Sequence, residues 1–194
     1  MKCLVIVCHP LRESLCGSLA AEAVSYLKTA GHSVEVRDLH EERFDPRLSA
    51  EERQSYYAER FAGNALSEEI KSLTETEMLV LVFPAWWFGF PAVLKGWFGR
   101  VWAPGHAYNH AADLSALKPK LQNLKQAYAI TTMGSPWWVD YFVMLKPVYR
   151  TLRFALLGAC APKCRFKMIS FYKCEKVSAS RYEGFVTRIK KLLN

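Results

Sequence analysis

The amino-acid sequence predicts one α/β domain over residues 1–194, built on a parallel β-sheet with helices on both faces. Short apolar runs recur along the chain, stretches of helical periodicity separate them, and glycine or proline marks many of the boundaries. Five strands that alternate with helices are typical of a doubly wound parallel sheet. The length allows a substantial core, and no internal repeat or linker divides the chain.

The first part of the chain contains two predicted strands. Lys2–Val7 is a continuous apolar run typical of a central strand, and Ser33–Leu39 alternates polar with apolar residues. Ser49 and Glu52 fit a capping box, which predicts a surface helix after Ser49. Apolar residues spaced by four between the two strands predict a helix with a glycine at its end: Leu15, Leu19, Ala23, Leu27 and Gly31.

A third strand leads into an unusual aromatic stretch. A helical pattern from Leu66 to Leu73 precedes the strand Met78–Phe83, and Trp86-Trp87-Phe88 follows it closely. Large flat side chains at the end of a buried strand form a surface suited to a planar aromatic ligand. Pro91 then begins a helix, because its fixed φ and missing N–H suit a first turn. An apolar stripe at helical spacing follows: Leu94, Trp97, Phe98 and Val101.

The remaining chain supplies two more strands and two helices. A loop is predicted over Ala103–Asp113, and Lys125–Thr131 and Arg165–Phe171 are the fourth and fifth strands. Tyr141–Leu157 is predicted to be helical, with Pro147 either starting its main part or kinking it. A last helix is predicted after the capping residue Ser178, and its apolar stripe consists of Tyr182, Phe185, Ile189 and Leu193.

Composition disfavours several classes of protein. Hydrophobic residues make up 51% and charged residues 23%, as is ordinary for a soluble globular protein, and no apolar run is long enough for a membrane span. The first strand starts within two residues of Met1, which leaves no room for a signal peptide and predicts a cytoplasmic location. The six cysteines are predicted to be reduced, mostly as core residues. Cys160 and Cys164 lack a second Cys or His pair of matching spacing, so a metal site is not expected.

The formal net charge of +8 is unevenly distributed. From Lys146 onward, 12 lysines and arginines face only Glu175 and Glu183, whereas the first 145 residues hold 14 basic and 16 acidic residues. The basic third is either a solvated face or a surface that attracts phosphate-bearing ligands, acidic proteins or anionic lipid. No dense basic run is present, so nucleic-acid binding is disfavoured.

Three loops that leave the carboxyl ends of strands carry the functional argument, since ligands of doubly wound sheets bind at that edge. In the first loop, the hydroxyls of Ser14 and Ser18 and the N–H groups at the helix start form an anion site, to which His9 and Arg12 add donors. Alternatively, Ser14 only caps the helix. The loop lacks the glycine pattern of a Rossmann dinucleotide site and that of a P-loop.

The second and third loops combine aromatic rings with groups that form hydrogen bonds. In Pro84–Gly89, three adjacent aromatics cannot all point inward, so at least one of them lines a cleft or an interface. In the third loop, Thr131 and Thr132 offer hydroxyls to a ligand, and Gly134 permits close approach of the backbone. A simple turn would not require the paired tryptophans that follow Gly134, Trp137 and Trp138.

These loops and the helix after the second one resemble the NAD(P)H:quinone oxidoreductase family from Met1 to about the last helix. The motifs that carry the resemblance are His9…Ser14, Pro84-x-x-Trp87-Phe88-Gly89-x-Pro91-Ala92-x-Leu94-Lys95-Gly96-Trp97-Phe98-x-Arg100-Val101 and Thr131-Thr132-x-Gly134. The resemblance implies a flavodoxin-like fold, with the five strands in the order 2-1-3-4-5. It also implies bound FMN or FAD, with NAD(P)H as co-substrate and a quinone or similar acceptor.

The predicted flavin site comprises twelve residues: His9, Ser14, Cys16, Ser18, Pro84, Ala85, Trp86, Trp87, Phe88, Thr131, Thr132 and Gly134. The resemblance implies ten of them, whereas Ser18 comes from the anion site at the helix start and Cys16 stands where many relatives have a polar asparagine. Three departures stand out. Many relatives have Ser-Phe-Asn where this chain has Ser14-Leu15-Cys16, quinone reductases often have glycine at the position of Met133, and their following Tyr and His have no clear equivalent. Trp137 and Trp138 are assigned to the substrate pocket without a role in proton transfer. No catalytic side chain or metal is required, because the flavin carries the chemistry.

The main hypothesis is therefore a flavin-dependent NAD(P)H oxidoreductase that works by a ping-pong cycle. The alternative is a flavin-binding ancillary subunit of a membrane system, docked through Tyr141–Leu157, with secondary oxidoreductase activity. A one-electron carrier is disfavoured because true flavodoxins are usually strongly acidic. The resemblance implies a homodimer, and Pro91–Trp102, in which Gly96 and Gly99 allow close helix approach, is predicted to help form it.

Overall fold

The structure, a computed structural model, describes residues 1–58, 61–111 and 116–194. Its strands are β1 (Lys2–Val7), β2 (Ser33–Asp38), β3 (Met78–Pro84), β4 (Tyr108–His110), β5 (Leu117–Pro119), β6 (Gln126–Met133) and β7 (Arg165–Tyr172). Five of them form a parallel sheet in the spatial order β2-β1-β3-β6-β7, and β4 and β5 form a separate antiparallel pair. Counted without that pair, the sheet has the predicted order 2-1-3-4-5, which confirms the doubly wound architecture.

Helices cover both faces of this sheet. They are α1 (Leu15–Thr29), α2 (Ala50–Gln54), α3 (Ser67–Glu75), α4 (Ala92–Val101), α5 (Pro147–Arg150), α6 (Leu157–Cys160) and α7 (Ala179–Leu193). The apolar residues of α1 and α7 pack on one face, and those of α3, α4, α5 and α6 pack on the other. Short 3₁₀ turns at Ser55–Tyr57 and Asn64–Leu66 connect α2 to α3.

The strand β3 lies at the centre of the core, with all seven of its residues buried. Its neighbour β1 shows how alternation divides the core: Leu4 and Ile6 face the layer of α3 and α4, whereas Val5 faces the layer of α1 and α7. Each buried side chain of this size contributes roughly 1.5–3 kcal/mol of hydrophobic stabilisation. The continuous apolar runs of β1 and β3 are therefore what a strand covered on both faces requires.

Two predicted segments need correction. The predicted helix Tyr141–Leu157 is interrupted, because a π-helical turn at Val139–Val143 is followed by left-handed residues, Leu145 (φ 55°) and Lys146 (φ 52°). Pro147 therefore starts the main helix, in which a π-helical stretch separates α5 from α6. The short strand β4 lies within the predicted loop Ala103–Asp113, whose last two residues are outside the described part of the chain. Three residues are too few for a recognisable alternating pattern.

The apolar stripe of α4 belongs to the core of its own chain. Leu94, Trp97, Phe98 and Val101 are all buried against the sheet face. The contribution of Pro91–Trp102 to a dimer stays a prediction, and it would come from residues outside this stripe. A Cβ at Gly96 would overlap Pro46, so this glycine allows close approach of the segment before α2 rather than of another helix.

That segment is also held by a buried ion pair between Arg100 on α4 and Glu52 on α2. The Arg100 Nε lies 3.0 Å from Glu52 Oε2, and the side chain of Glu52 is 5% exposed. Ser49 and Glu52 form the predicted capping box, although Glu52 is buried rather than on the surface. The guanidinium also donates to the Asp45 carbonyl and lies over the Phe44 ring. One cation therefore anchors the segment between β2 and α3.

Replacing Arg100 with methionine is expected to lower the free energy of unfolding by about 3 kcal/mol, because Glu52 is then a buried carboxylate without its cation. As a control, Arg47→Met removes an exposed pair with Asp45 and is expected to cost less than about 1 kcal/mol. Urea unfolding at neutral pH measures both losses. Equal losses in the two variants would contradict the anchoring role of Arg100.

The same pair makes stability depend on pH. Burial alone would raise the pKa of Glu52, but the hydrogen bond and charge of Arg100, together with the Ser49 N–H, hold this pKa below its usual value. Since the folded pKa is the lower one, the stabilisation is present above the ordinary glutamate pKa of about 4.3 and is lost as the pH falls through the folded value. The stability difference between the wild-type chain and Glu52→Gln should therefore shrink on acidification.

Candidate functional site

A cavity of about 180 Å³ lies at the carboxyl edge of the sheet, where β1, β3 and β6 end. Its lining residues are His9, Leu15, Cys16, Pro84, Ala85, Trp86, Thr132, Met133, Gly134, Cys174 and Glu175. The three loops singled out from the sequence thus meet in space. The cavity also lies where strand order reverses between β1 and β3, the usual ligand position in doubly wound sheets.

A larger cavity of about 380 Å³ lies at the opposite edge, between the segments that precede β6 and β7. Cys160 and Cys164 line it, and both thiols are free and buried. Burial raises the pKa of Cys160 to about 12 and that of Cys164 to about 11, so both stay protonated near neutral pH. In the described part of the chain, no three His, Cys, Asp or Glu side chains converge as a metal site would require.

In the first loop, Cys16 turns into the cavity and lies 3.3 Å from the Thr132 hydroxyl through its sulfur. Ser14 caps α1 by accepting from the Gly17 N–H, and the Ser18 hydroxyl donates to the Ser14 carbonyl. These two serines line a shallow neighbouring groove of about 810 Å³, which also contains Asp38 and Glu41. The start of α1 therefore separates two concave surfaces. The residues predicted to bind the phosphate are divided between these two surfaces.

The second loop separates its aromatic residues. Trp86 lines the cavity beside His9, with 5.9 Å between the ring centroids, whereas Trp87 is 98% exposed and Phe88 is half-buried. A tight turn produces this arrangement, because the Gly89 N–H donates to the Trp86 carbonyl at 2.8 Å.

This turn is strained. Trp87 (φ 50°) and Phe88 (φ 57°) are both left-handed, the geometry of a type I′ turn that favours asparagine and glycine. Each such bulky residue costs roughly 1–2 kcal/mol. Strain of this kind is concentrated at ligand sites and interfaces, which is consistent with the position of the turn beside the cavity.

The two threonines of the third loop have different surroundings. Thr132 lines the cavity, whereas Thr131 is fully buried and donates its hydroxyl hydrogen bond to Ser170 on β7 at 2.7 Å. Gly134 also lines the cavity, and a Cβ at this position would overlap the carboxylate of Glu175. The structure therefore brings seven of the twelve predicted flavin residues to one cavity: His9, Cys16, Pro84, Ala85, Trp86, Thr132 and Gly134.

Trp137 and Trp138 lie outside that cavity, on the segment 137–145, which we call the apolar loop. Both rings are about half exposed, and the Trp137 ring contacts those of Tyr141 and Phe142. The other exposed residues of this loop are Val143, Met144 and Leu145. So many exposed apolar side chains in succession mark an interaction surface.

A buried carboxylate anchors the apolar loop to the sheet. Asp140 is 1% exposed, and it accepts a hydrogen bond from the Tyr172 hydroxyl on β7 at 2.7 Å. Its carbonyl accepts from the Lys146 N–H at 2.8 Å, which closes the loop. Burial, followed by the Asp140 carboxylate, raises the pKa of Tyr172, so the phenol remains a hydrogen-bond donor at every physiological pH.

Four of the eleven lining residues were not among the predicted site residues: Leu15, Met133, Cys174 and Glu175. Cys174 and Glu175 belong to the loop after β7, which is tied to the third loop because the Cys174 N–H donates to the Met133 carbonyl at 3.0 Å. The sequence contained enough information to include the loop after β7, because the predicted fifth strand ends at the same edge of the sheet as the others. Burial raises the pKa of Cys16 to about 11, so this thiol is a neutral wall of the cavity and not a nucleophile.

Known proteins resemble the whole chain. The model of a family described by its flavodoxin-like fold matches residues 1–183. NAD(P)H dehydrogenase (quinone) 1 of Cavia porcellus is 34% identical over 151 residues, which cover 69% of this chain and 54% of that protein. Ribosyldihydronicotinamide dehydrogenase (quinone) of Rattus norvegicus is 30% identical over 191 residues, which cover 85% of this chain and 81% of that protein.

Among solved structures, an NAD(P)H:quinone oxidoreductase from Methanothermobacter marburgensis superposes with a TM-score of 0.85 at 26% identity. The match covers 100% of this chain and 95% of that one. The chain spans about half the length of the Cavia porcellus relative and of the corresponding Rattus norvegicus protein, 54% in each case.

Trp87→Asn is expected to raise the free energy of unfolding by about 1 kcal/mol, because asparagine tolerates a left-handed φ and Trp87 buries almost no surface. Trp138→Asn is the matched control, since Trp138 has an ordinary helical φ of −68° and gains no such relief. Urea unfolding distinguishes the two. A Trp87→Asn variant no more stable than the wild-type chain would argue against strain in this turn.

Tyr172→Phe is expected to lower the free energy of unfolding by about 2 kcal/mol, because the Asp140 carboxylate then loses its hydrogen-bond donor. Amide hydrogen exchange in residues 137–146 should accelerate, since the apolar loop loses its tie to β7. Tyr141→Phe removes a hydroxyl from the loop itself and serves as the control. Unchanged exchange in Tyr172→Phe would contradict the anchoring role of Asp140.

Proposed function

This chain belongs to the NAD(P)H:quinone oxidoreductase family of the flavodoxin-like fold, and from that premise we propose that it is a flavin-dependent NAD(P)H oxidoreductase. It takes hydride from a nicotinamide cofactor and delivers it to a quinone or similar acceptor, with the two substrates using the same site in turn. The observation that carries the proposal is the cavity at the strand-order reversal, lined by the loops after β1, β3 and β6.

The residues of the cavity fit a flavin. Pro84, Ala85 and Trp86 offer an apolar wall to a planar ring, and the Thr132 hydroxyl and the Gly134 backbone offer polar groups opposite. The 180 Å³ volume is below the roughly 300–1,000 Å³ of a site that encloses a whole ligand. The cavity therefore encloses only part of the cofactor. Bound FMN or FAD supplies the hydride chemistry, and the protein supplies position and electrostatics.

The phosphate end of the cofactor is assigned to the start of α1. Ser14 and Ser18 use their hydroxyls within the helix, so the attraction for an anion comes from the unpaired N–H groups of the first turn and the helix dipole. No acidic residue stands in that first turn. Support for the assignment comes from His9, a residue of the same loop that also lines the cavity.

The apolar loop supports a homodimer in which Trp137 and Trp138 form a wall of the acceptor site. Single chains rarely leave so many consecutive apolar residues exposed, and Trp87 adds a nearly fully exposed ring on the second loop. The alternative is a flavin-binding subunit that docks a membrane-associated partner. Three basic residues that follow the apolar loop favour this alternative: Lys146, Arg150 and Arg153. The one acidic residue of the apolar loop, Asp140, is buried.

Two measurements separate these assemblies. Gel filtration at micromolar concentration should give a dimer, and co-sedimentation with anionic vesicles should fail if the apolar loop is covered by a second copy. Among the described residues, no helix is both long and apolar enough to cross a bilayer. A cytoplasmic location goes with the proposal, since all six cysteines are free thiols and five are buried.

The purified protein is expected to carry a yellow flavin that heat releases for identification as FMN or FAD. Anaerobic titration with NADH and NADPH should bleach it, and re-oxidation by a quinone should restore the colour. Thr132→Val is expected to weaken flavin binding about fivefold through the loss of one hydroxyl at the cavity. Fluorescence quenching during titration of the apoprotein measures the affinity.

Thr131→Val is the matched comparison, because the neighbouring hydroxyl is turned away from the cavity and bonded to Ser170. It should lower stability and leave the flavin affinity unchanged. A colourless wild-type protein that binds no added flavin would rule out the proposed function. Equal loss of affinity in both variants would show that the two hydroxyls are not divided as described.

A further inference from the structure

The cavity contains one charged side chain, Glu175, and we propose that its carboxylate weakens the binding of reduced flavin relative to oxidised flavin and so lowers the reduction potential. The inference rests on the proposed function. It concerns a residue of the loop after β7, outside the family motifs found in the sequence. Its consequence is a cofactor that donates hydride more readily to acceptors.

The position of Glu175 is given by its contacts. It lines the cavity together with Thr132, Gly134 and Cys174, and a Cβ built on Gly134 would lie 3.2 Å from its carboxyl carbon. The carboxylate therefore lies against the backbone of the third loop, where one edge of the ring is proposed to bind. Among the described lining residues, no other Asp, Glu, Lys or Arg is present.

The loop that carries Glu175 is fixed by two backbone hydrogen bonds to the third loop. The Lys173 N–H donates to the Ser135 carbonyl at 3.2 Å, and the Cys174 N–H donates to the Met133 carbonyl at 3.0 Å. Lys173 is itself left-handed, with φ 51°. These bonds fix the backbone next to Glu175, so the fold keeps this residue at the cavity.

One cation close to this loop, Arg181, makes its hydrogen bonds to other groups. Its guanidinium donates to the Tyr172 carbonyl at 2.7 Å and to the carbonyls of Lys173 and Lys176, and it lies 4.8 Å from the centroid of the Phe171 ring. Within the described part of the chain, Glu175 takes part in no ion pair. The carboxylate is therefore not held in an ion pair, and its charge acts on the cavity together with those of the cations on the same loop, Lys173 and Lys176.

Electrostatics gives the direction of the effect. The ring of oxidised flavin is neutral, whereas reduced flavin carries negative charge near neutral pH. A carboxylate at the rim of the cavity therefore repels the reduced form more than the oxidised form, and its exposure to solvent keeps the effect moderate. The neighbouring Cys16 adds no charge, because burial keeps its thiol protonated.

The test compares Glu175→Gln with the wild-type holoprotein, using FMN and FAD as probes. The midpoint potential is read by equilibration with a redox dye, and the affinity for oxidised flavin is read by fluorescence titration. Glu175→Gln is expected to bind reduced flavin about tenfold more tightly relative to oxidised flavin. For a two-electron couple this is a rise of ~30 mV. Glu175→Lys should shift the potential further in the same direction.

Glu183→Gln is the matched control, since it removes an exposed negative charge from α7 without touching the cavity, and it should leave the potential unchanged. Glu175 is exposed and makes no hydrogen bond within the described residues, so its variants should retain the fold, as circular dichroism can verify. Flavin binding with identical potentials in the wild-type, Glu175→Gln and Glu175→Lys proteins would overturn this inference alone. Absence of flavin binding to the wild-type protein would overturn the proposed function and the inference with it.

Discussion

Parallel pairing of β1, β3 and β6 is the constraint on which the rest of the molecule depends. In-register parallel hydrogen bonding joins Val7 to Val82 and Pro84 to Thr132, so the strands end together at one edge. The connection between parallel strands must return to the opposite edge, and helices on both faces perform that return. Four loops of distant sequence thus converge, while the buried strands beneath them keep the edge rigid. The loops supply the side chains of the cavity, and the sheet fixes the positions of the loops.

The regions around this edge depart most from local conformational preference. Trp87 and Phe88 occupy a left-handed turn, as do Leu145 and Lys146 at the end of the apolar loop. The buried carboxylate of Asp140 is anchored by a phenol instead of a cation. Such features cost stability unless the surroundings enforce them. The well-packed core of β1 and β3 supplies that stability, and the departures hold aromatic rings in the open at the edge of the sheet.

These departures also explain which parts were predictable. The five strands of the parallel sheet were found to within two residues, and the clearest of them, Lys2–Val7 and Met78–Pro84, are apolar runs typical of a strand covered on both faces. The predicted strand ends also gave the position of the cavity, because ligands of such sheets bind at the carboxyl edge. The sequence did not separate Trp86 from Trp87, because no local rule predicts a left-handed Trp-Phe turn. It did not separate Thr131 from Thr132, because the partner of Thr131 is Ser170, 39 residues away on another strand.

The charge on part of the surface and the charge in the cavity have opposite signs and act over different distances. The last 49 residues carry 12 basic and two acidic side chains, so the field around this part of the surface is positive. Such a field attracts phosphate-bearing molecules from a distance and is screened beyond roughly 8 Å at physiological ionic strength. Inside the cavity the one formal charge is negative, and it acts at short range in a partly enclosed site. The chain therefore combines a region that attracts anions with a cavity whose one carboxylate would disfavour negative charge on the proposed cofactor. Under the proposed function, this combination would attract a phosphate-bearing nicotinamide and favour the passage of its electrons to an acceptor.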